Sequence, residues 1–387
     1  MILEVSASGF SKDTSGGGER YFSGLAEYVS SNNVGISWSS TPKRGLGKSF
    51  AIGDYGMFHF NIPGILQKTN PIPTIRTLVE IKDILTHSKN KVDVIHIHNY
   101  RTMAGAIWTV LSKYIEERNK VKLILTDHGS MFAPFPRYLL RKFDYYAPVS
   151  DFSNTYLQNL MPKPSKIIKS FVKDEFLKLN VNKTFEDRVI DILFVGRIAP
   201  WKGVERVLYL ARTLKENGFR DLNVRIVGNS LGGTYKNALD NIIMENKLSN
   251  NVKIVTGTED RDLINYYNSS KIFVHAGSDI DVYGKKYHNP ELSSSSIIEA
   301  MSFGLPILAT STIPVVNEAN SEGGKVFAIV PGEYKAQAEI AENLLDNKSA
   351  WNEIHYINQK YIAAKRTLSH IGKEFLKFVS SIEAGDL

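Results

Sequence analysis

The sequence predicts an α/β protein of two domains in series, each built on a parallel sheet. Three observations predict it. The 387 residues are enough for two separate cores of ordinary size. Short apolar runs alternate with amphipathic stretches along the whole chain, the pattern of strands joined by helical crossovers. The series starts afresh near residue 190, after the charged and aperiodic stretch Lys173–Arg188, where the linker is placed.

In the first half, strands are expected at Ile2–Ser6, Val92–Ile97, Lys122–Thr126 and Ala147–Ser150, because each is a short apolar run. Helices are expected at Glu19–Ser30, Thr74–His87, Thr102–Glu117 and Phe152–Leu160, where apolar positions recur with helical spacing. Residues 40–73 are rich in glycine and proline and read as a long irregular loop region with a short strand at Met57–Phe60. In the second half, strands are expected at Ile190–Val195, Asn223–Val227, Val252–Val255, Ile272–His275, Pro306–Ala309 and Val326–Val330. The intervening helices are Val204–Asn217, Tyr235–Lys247, Asp260–Asn268, Ser295–Phe303, Tyr334–Leu345 and Ser349–Ala364. The expected domains are 1–178 and 185–365, with 366–387 (amphipathic at Ser369–Ser380) packing back on the first. Two such domains imply a cleft faced by the C-terminal ends of their strands.

Composition narrows the function classes. Cysteine is absent, which excludes disulfides, thiol chemistry and thiolate metal sites. The start, Met1-Ile2-Leu3-Glu4-Val5, reaches an acid after two apolar residues, and no apolar run is long enough to span a bilayer. A cytoplasmic location is expected, with peripheral attachment at the inner face of the membrane as an option. The net charge of +7 is uneven: residues 1–180 hold 23 Lys+Arg against 15 Asp+Glu, and the remainder 24 against 25. A basic first half suits an anionic partner, although a lysine-rich solvated surface reads the same way. Arg137–Phe143 and Thr102–Lys120 are the stretches that suggest a membrane surface or a lipid-linked acceptor. Nucleic acid is not an expected partner, since no basic helix or aromatic–basic stacking motif accompanies the charge.

The most informative residues are Glu291 and Glu299, which flank a serine run leading into a short helix closed by Gly304 and Pro306. Two acids around a helix start, on a loop leaving a strand, suit a sugar and its phosphates. A second constellation is Gly196-Arg197 followed by Lys202-Gly203, after a buried strand and before a helix. Arginine offers a planar fork to phosphate oxygens and lysine a mobile point charge. The plain alternatives are a surface helix acid, a loop acid and two solvated cations. For His128 the alternative is a satisfied histidine at a strand end. His96 and His98 alternate along a strand and read as core or near-site structure rather than metal ligands, so no metal site is expected.

Taken in order, these segments resemble the retaining glycosyltransferases of family 4, enzymes of the GT-B fold with two Rossmann-like domains. The resemblance rests on Gly196-Arg197 with Lys202-Gly203, and on Glu291-x7-Glu299 with Ala300-Met301 and Gly304-x-Pro306 trailing it. Gly16-Gly17-Gly18-Glu19-Arg20, Asp93–Asn99 and Leu125–Gly129 add three further matches, from about residue 2 to 345.

The resemblance implies transfer of a sugar from a nucleotide-diphosphate sugar to a glycan or lipid-linked acceptor, without metal or cofactor. It implies that Arg197 and Lys202 neutralise the diphosphate and that Glu299 binds the ribose hydroxyls. Glu291 and His128 would lie against the transferred sugar. Gly16 and Gly17 would let backbone approach the phosphate or the acceptor. Gly228, Thr256 and Gly257 would hold the base, and Ser294 and Ser295 would donate to phosphate. The chain departs from the family at Leu292-Ser293-Ser294, where Gly-Phe-Gly is usual, at Ser170-Phe171-Val172-Lys173, and in the long segment Asp279–His288. The serine-for-glycine departure supports one other reading, a non-catalytic sugar-nucleotide or glycan-binding protein of the same fold; among enzymes the alternative is a sugar-nucleotide epimerase of that fold.

Overall fold

The computed structural model describes residues 2–6, 17–31, 35–41, 50–52, 55–61, 93–98, 109, 121–128, 137–230, 233–258, 260–287 and 291–386. The chain divides into two compact units, Met1–Lys169 with Leu368–Leu387, and Ser170–Thr367.

In the first unit a seven-stranded sheet has the order β3-β4-β2-β1-β5-β6-β7. Its strands are β1 (Ile2–Ser6), β2 (Gly35–Thr41), β3 (Phe50–Ile52), β4 (Tyr55–Asn61), β5 (Val94–His98), β6 (Lys122–Thr126) and β7 (Tyr145–Tyr146). All neighbours run parallel except β3, which pairs antiparallel with β4. Helix α1 (Gly17–Ser31) buries Tyr21, Phe22, Leu25, Ala26 and Val29, and α2 (Asp151–Leu160) follows β7. The expected helices at Thr74–His87 and Thr102–Glu117 lie outside the described residues, apart from Thr109.

Two expectations are corrected here. Residues 40–73 contain β3, β4 and the end of β2 rather than only a loop with one strand. Ala147–Ser150 is not a strand. Pro148 has no N–H for a ladder, and Ser150 caps α2, its Oγ accepting from the Ser153 amide at 3.1 Å.

The second unit holds a six-stranded, wholly parallel sheet in the order β10-β9-β8-β11-β12-β13. Its strands are β8 (Ile190–Val195), β9 (Val224–Val227), β10 (Val252–Val255), β11 (Ser270–His275), β12 (Ile307–Thr310) and β13 (Val326–Ile329). They are short apolar runs because helices cover both faces. The helices are α3 (Asp174–Leu179), α4 (Val204–Glu216), α5 (Gly233–Glu245), α6 (Asp260–Asn268), α7 (Ser295–Ser302), α8 (Pro314–Glu322), α9 (Tyr334–Asp346) and α10 (Lys348–Lys365). One core layer gathers Val204, Val207, Leu208, Ala211 and Leu214 of α4 with Leu344 of α9; the other gathers Ile297, Ile298 and Met301 of α7.

The expected linker Lys173–Arg188 is part of this unit. It holds α3, and Arg188 is buried, donating to the carbonyls of Tyr267, Ser270 and Phe303. Helix α8 follows no period visible in the sequence. Pro314 starts it and Gly323, at φ +97°, ends it. The last helix, α11 (Leu368–Ala384), belongs to the first unit and packs on α1. There Gly372 meets Tyr28 so closely that a Cβ would lie 2.4 Å from its ring.

Candidate functional site

Both sheets change direction beside their first strand. In the second unit β8-β9-β10 extends to one side and β11-β12-β13 to the other, so the strand order switches between β8 and β11. Ligands of open parallel sheets bind at such a switch point, beyond the carboxyl ends of the strands. There the chain places Lys202, one turn after β8, against Glu291, which follows β11; the ammonium donates to Glu291 Oε1. His275, the last residue of β11, lies 3.2 Å from the same oxygen through Nε2. Backbone crowding fixes this corner: a Cβ on Gly203, at φ +66°, would lie 2.0 Å from the Ala276 carbonyl oxygen.

Glu291 is 9 % exposed, and burial alone would favour its neutral form. Lys202 and His275 outweigh that and hold its pKa at about 2. It is therefore an ionised acceptor, so the His275 Nε2 that faces it carries a proton. The His275 ring lies parallel to Phe194, and its buried Nδ1 has no hydrogen-bond partner among the described residues.

Glu299 sits one turn into α7, 5 % exposed, and accepts from the Tyr267 hydroxyl at 3.0 Å. Ser294 occupies the N-cap of α7, but its hydroxyl does not cap the helix; it lies 3.3 Å from Ser296 Oγ. Ser295 is the first helical residue. Arg197 is exposed and its side chain has no partner among the described residues. Gly228 is pressed against this turn: at φ +153°, its Cβ would fall 1.8 Å from the Gly196 carbonyl oxygen. The next loop is tied in by Asn229, whose Oδ1 accepts from the Gly257 amide at 2.9 Å, while Thr256 is exposed beside it.

In the first unit a second polar cluster lies at its own switch point, between β1 and β5. Glu4 of β1 is buried among His96 and His98 of β5, and His128 follows β6. Glu4 Oε2 is 2.9 Å from His96 Nδ1 and 3.0 Å from His98 Nε2. His98 Nδ1 is 3.0 Å from His128 Nε2, and His96 Nε2 is 2.8 Å from Thr126 Oγ1. Glu4, His96 and His98 converge closely enough to hold a metal ion, an arrangement the strand alternation alone did not reveal. Gly17 is exposed at the start of α1, Gly18 packs beside His128, and Gly16 lies outside the described residues.

The structure thus joins Lys202 to Glu291, and Gly228 to the backbone of the Arg197 turn. It gives Glu299 a different partner, Tyr267. Sequence reasoning missed His275, Tyr267, Asn229 and Glu4. A histidine ending an apolar strand, or a tyrosine inside a polar helix, carries no signal of its own, and Glu4 acquires meaning only from strand register.

The architecture is that of the GT-B glycosyltransferase structures. A sucrose-phosphate synthase from Thermosynechococcus elongatus superposes with a TM-score of 0.74 at 15 % identity, covering 99 % of each chain. A glycosyltransferase from Rickettsia africae gives 0.73 at 19 %, covering 98 % of each. HepE of Anabaena, in complex with UDP and glucose, gives 0.68 at 16 %, covering 98 % of this chain and 100 % of its own. Residues 178–361, inside the second unit, match the sequence model of the family described as Glycosyl transferases group 1. No curated protein sequence matches the chain. Among the described residues, no helix is long and apolar enough to cross a membrane.

Proposed function

We propose that this chain is a retaining, metal-independent glycosyltransferase that takes a sugar from a nucleotide-diphosphate donor in glycan, glycolipid or polysaccharide assembly. The observation that carries the reading is the Lys202–Glu291–His275 cluster at the switch point of a sheet whose sequence matches a glycosyltransferase family. A UDP and glucose complex of a protein with the same fold supports a nucleotide-sugar donor.

In this reading Arg197 and Lys202 face the diphosphate. Lys202 gives one N–H to Glu291 and retains two more for phosphate oxygens. Their charge matters most as negative charge grows on the departing diphosphate, which is how they accelerate the reaction. Glu291, ionised and acceptor-only, takes hydrogen bonds from hydroxyls of the transferred sugar and cannot act as a general acid. Glu299, braced by Tyr267, accepts from the ribose diol. Gly228, Thr256 and Gly257 line the base, and Ser294 and Ser295 present their amides to phosphate. The bond from the anomeric carbon to the diphosphate breaks as the acceptor oxygen attacks from the same face. The acceptor proton passes to the departing phosphate oxygen.

A lipid-linked acceptor draws its support from the basic bias of residues 1–180. Within Arg137–Lys142, Leu139 and Leu140 are core and Arg141 is exposed, so what these residues offer a membrane is charge. A thermal-shift panel of nucleotide diphosphates and their sugars, followed by product analysis with candidate acceptors, tests the proposal. A donor that raises the melting temperature and yields a glycoside of unchanged anomeric configuration supports it. Absence of both stabilisation and transfer across the panel rejects it.

A further inference from the structure

The buried cluster of the first unit contains a linear chain of three groups, Glu4 Oε2 to His98 Nε2 at 3.0 Å and His98 Nδ1 to His128 Nε2 at 3.0 Å. β1, β5 and β6 are adjacent and parallel, with Glu4 opposite His96 and His98 opposite Thr126, so the chain is built on the rigid centre of a sheet. His128 stacks on His98 with 5.3 Å between ring centres and meets Tyr21 edge-on at 4.9 Å. Such a chain can carry only certain protons.

We propose that Glu4 and His98 are positioning residues that fix the tautomer of His128, with the proton on Nε2 and Nδ1 as the acceptor, so that His128 serves a hydroxyl or N–H donor rather than an anion. Burial opposes the ionisation of Glu4, but His96 and His98 prevail and hold its pKa at about 2. An ionised carboxylate only accepts, so His98 donates through Nε2. Burial and His96 lower the pKa of His98 to about 4, so at neutral pH it carries one proton and its Nδ1 is bare. The His128 nitrogen facing that lone pair must therefore be Nε2–H. Burial, then His98 and His96, hold His128 neutral as well.

The neighbouring histidine is anchored differently. Thr126 donates its hydroxyl to the Ala147 carbonyl at 2.6 Å, so it accepts from His96 Nε2–H. A metal ion on Glu4, His96 and His98 would demand the opposite polarity. It would take the lone pair of His98 Nε2, move the His98 proton to Nδ1, and oblige His128 Nε2 to accept.

The tautomer does not depend on the proposed function; only the identification of the hydroxyl with that of a transferred sugar or acceptor rests on it. The experiment is a long-range proton–nitrogen correlation spectrum of the full chain labelled at its histidine nitrogens, at pH 7, with His128 assigned by its loss in His128→Gln. The expected spectrum has a pyrrole-type Nε2 and a pyridine-type Nδ1 for His128. In Glu4→Gln the amide can donate to His98 Nε2, and the two His128 resonance types should exchange. Thr126→Val, which touches only the His96 end, should leave them in place. A wild-type His128 with the proton on Nδ1, or with both nitrogens protonated, overturns the proposal whether or not any variant folds. A wild-type Nε2–H tautomer that persists unchanged in folded Glu4→Gln overturns the role of Glu4. Wild-type protein with the expected tautomer but no sugar transfer would reject the proposed function and leave this inference standing.

Discussion

Replacing Glu291 with glutamine preserves shape and removes the charge that Lys202 and His275 face. The depression of the Glu291 pKa from 4.5 to about 2 corresponds to about 3.4 kcal/mol of folding stability at about 1.36 kcal/mol per unit. Removing one partner of a buried ion pair independently suggests about 3–5 kcal/mol. Lys202 keeps 17 % of its side chain exposed and can recruit water, which favours the low end. The folded pKa is the lower one, so this stability is fully present above pH 4.5 and is lost as pH falls through the range toward 2. The difference between wild type and Glu291→Gln should therefore be about 3 kcal/mol at pH 7 and about 1.4 kcal/mol at pH 3, by the same linkage. Urea unfolding followed by circular dichroism, at matched ionic strength and several pH values, measures both numbers. Equal stabilities at pH 7, or a gap that does not shrink between pH 4.5 and 3, would refute the assignment of Glu291 as an ion held by Lys202.

Three further outcomes follow from the same geometry. Lys202→Ala should lower turnover of the nucleotide-sugar donor by about 10²–10³-fold, the usual effect of deleting one preorganised group that stabilises developing charge; an unchanged turnover number would remove Lys202 from the reaction. Tyr267→Phe leaves Glu299 without its 3.0 Å hydroxyl donor and should weaken nucleoside diphosphate binding by about tenfold in calorimetry, the equivalent of roughly 1.4 kcal/mol. Unaltered affinity would mean that Glu299 does not need that brace. Gly228→Ala drives a Cβ to within 1.8 Å of the Gly196 carbonyl oxygen and should cost about 3 kcal/mol or more. A melting temperature equal to wild type would show that the loop relaxes freely.

Much of the second unit is legible in the sequence because its strands are largely buried and read as short, mainly apolar runs, such as Ile192–Val195 and Ile307–Ala309. The edge of the first sheet is less legible. The strand Gly35–Thr41 alternates serines with larger residues, β3 is only three residues long, and β4 contains Gly56, which reads as a turn. The segment Lys173–Arg188 reads as a linker because its charges are dense, yet Arg188 is a core residue whose guanidinium is satisfied by four carbonyls, those of Lys183, Tyr267, Ser270 and Phe303. In the candidate site, the spacing of Glu291 and Glu299 located the loop and helix. It could not reveal that their partners, Lys202 and Tyr267, arrive from the turn after β8 and from α6.

The two buried carboxylates show how similar surroundings yield different chemistry. Glu4 and Glu291 each lie at a switch point, each is held at a pKa of about 2, and each faces histidine nitrogen. The difference lies in the remaining partner. Beside Glu291 it is a lysine, whose charge persists at any physiological pH and whose spare N–H groups can meet a phosphate. With the exposed Arg197 on the same turn, the second unit gathers the cations suited to a polyanionic leaving group. Beside Glu4 the partners are imidazoles, and the far end of the chain is a neutral His128 whose Nδ1 is an acceptor. Under the proposed function the first unit is therefore equipped to orient a hydroxyl and not to neutralise a diphosphate. An inorganic phosphate or diphosphate that binds at His128 with the affinity it shows at Lys202 would contradict that division.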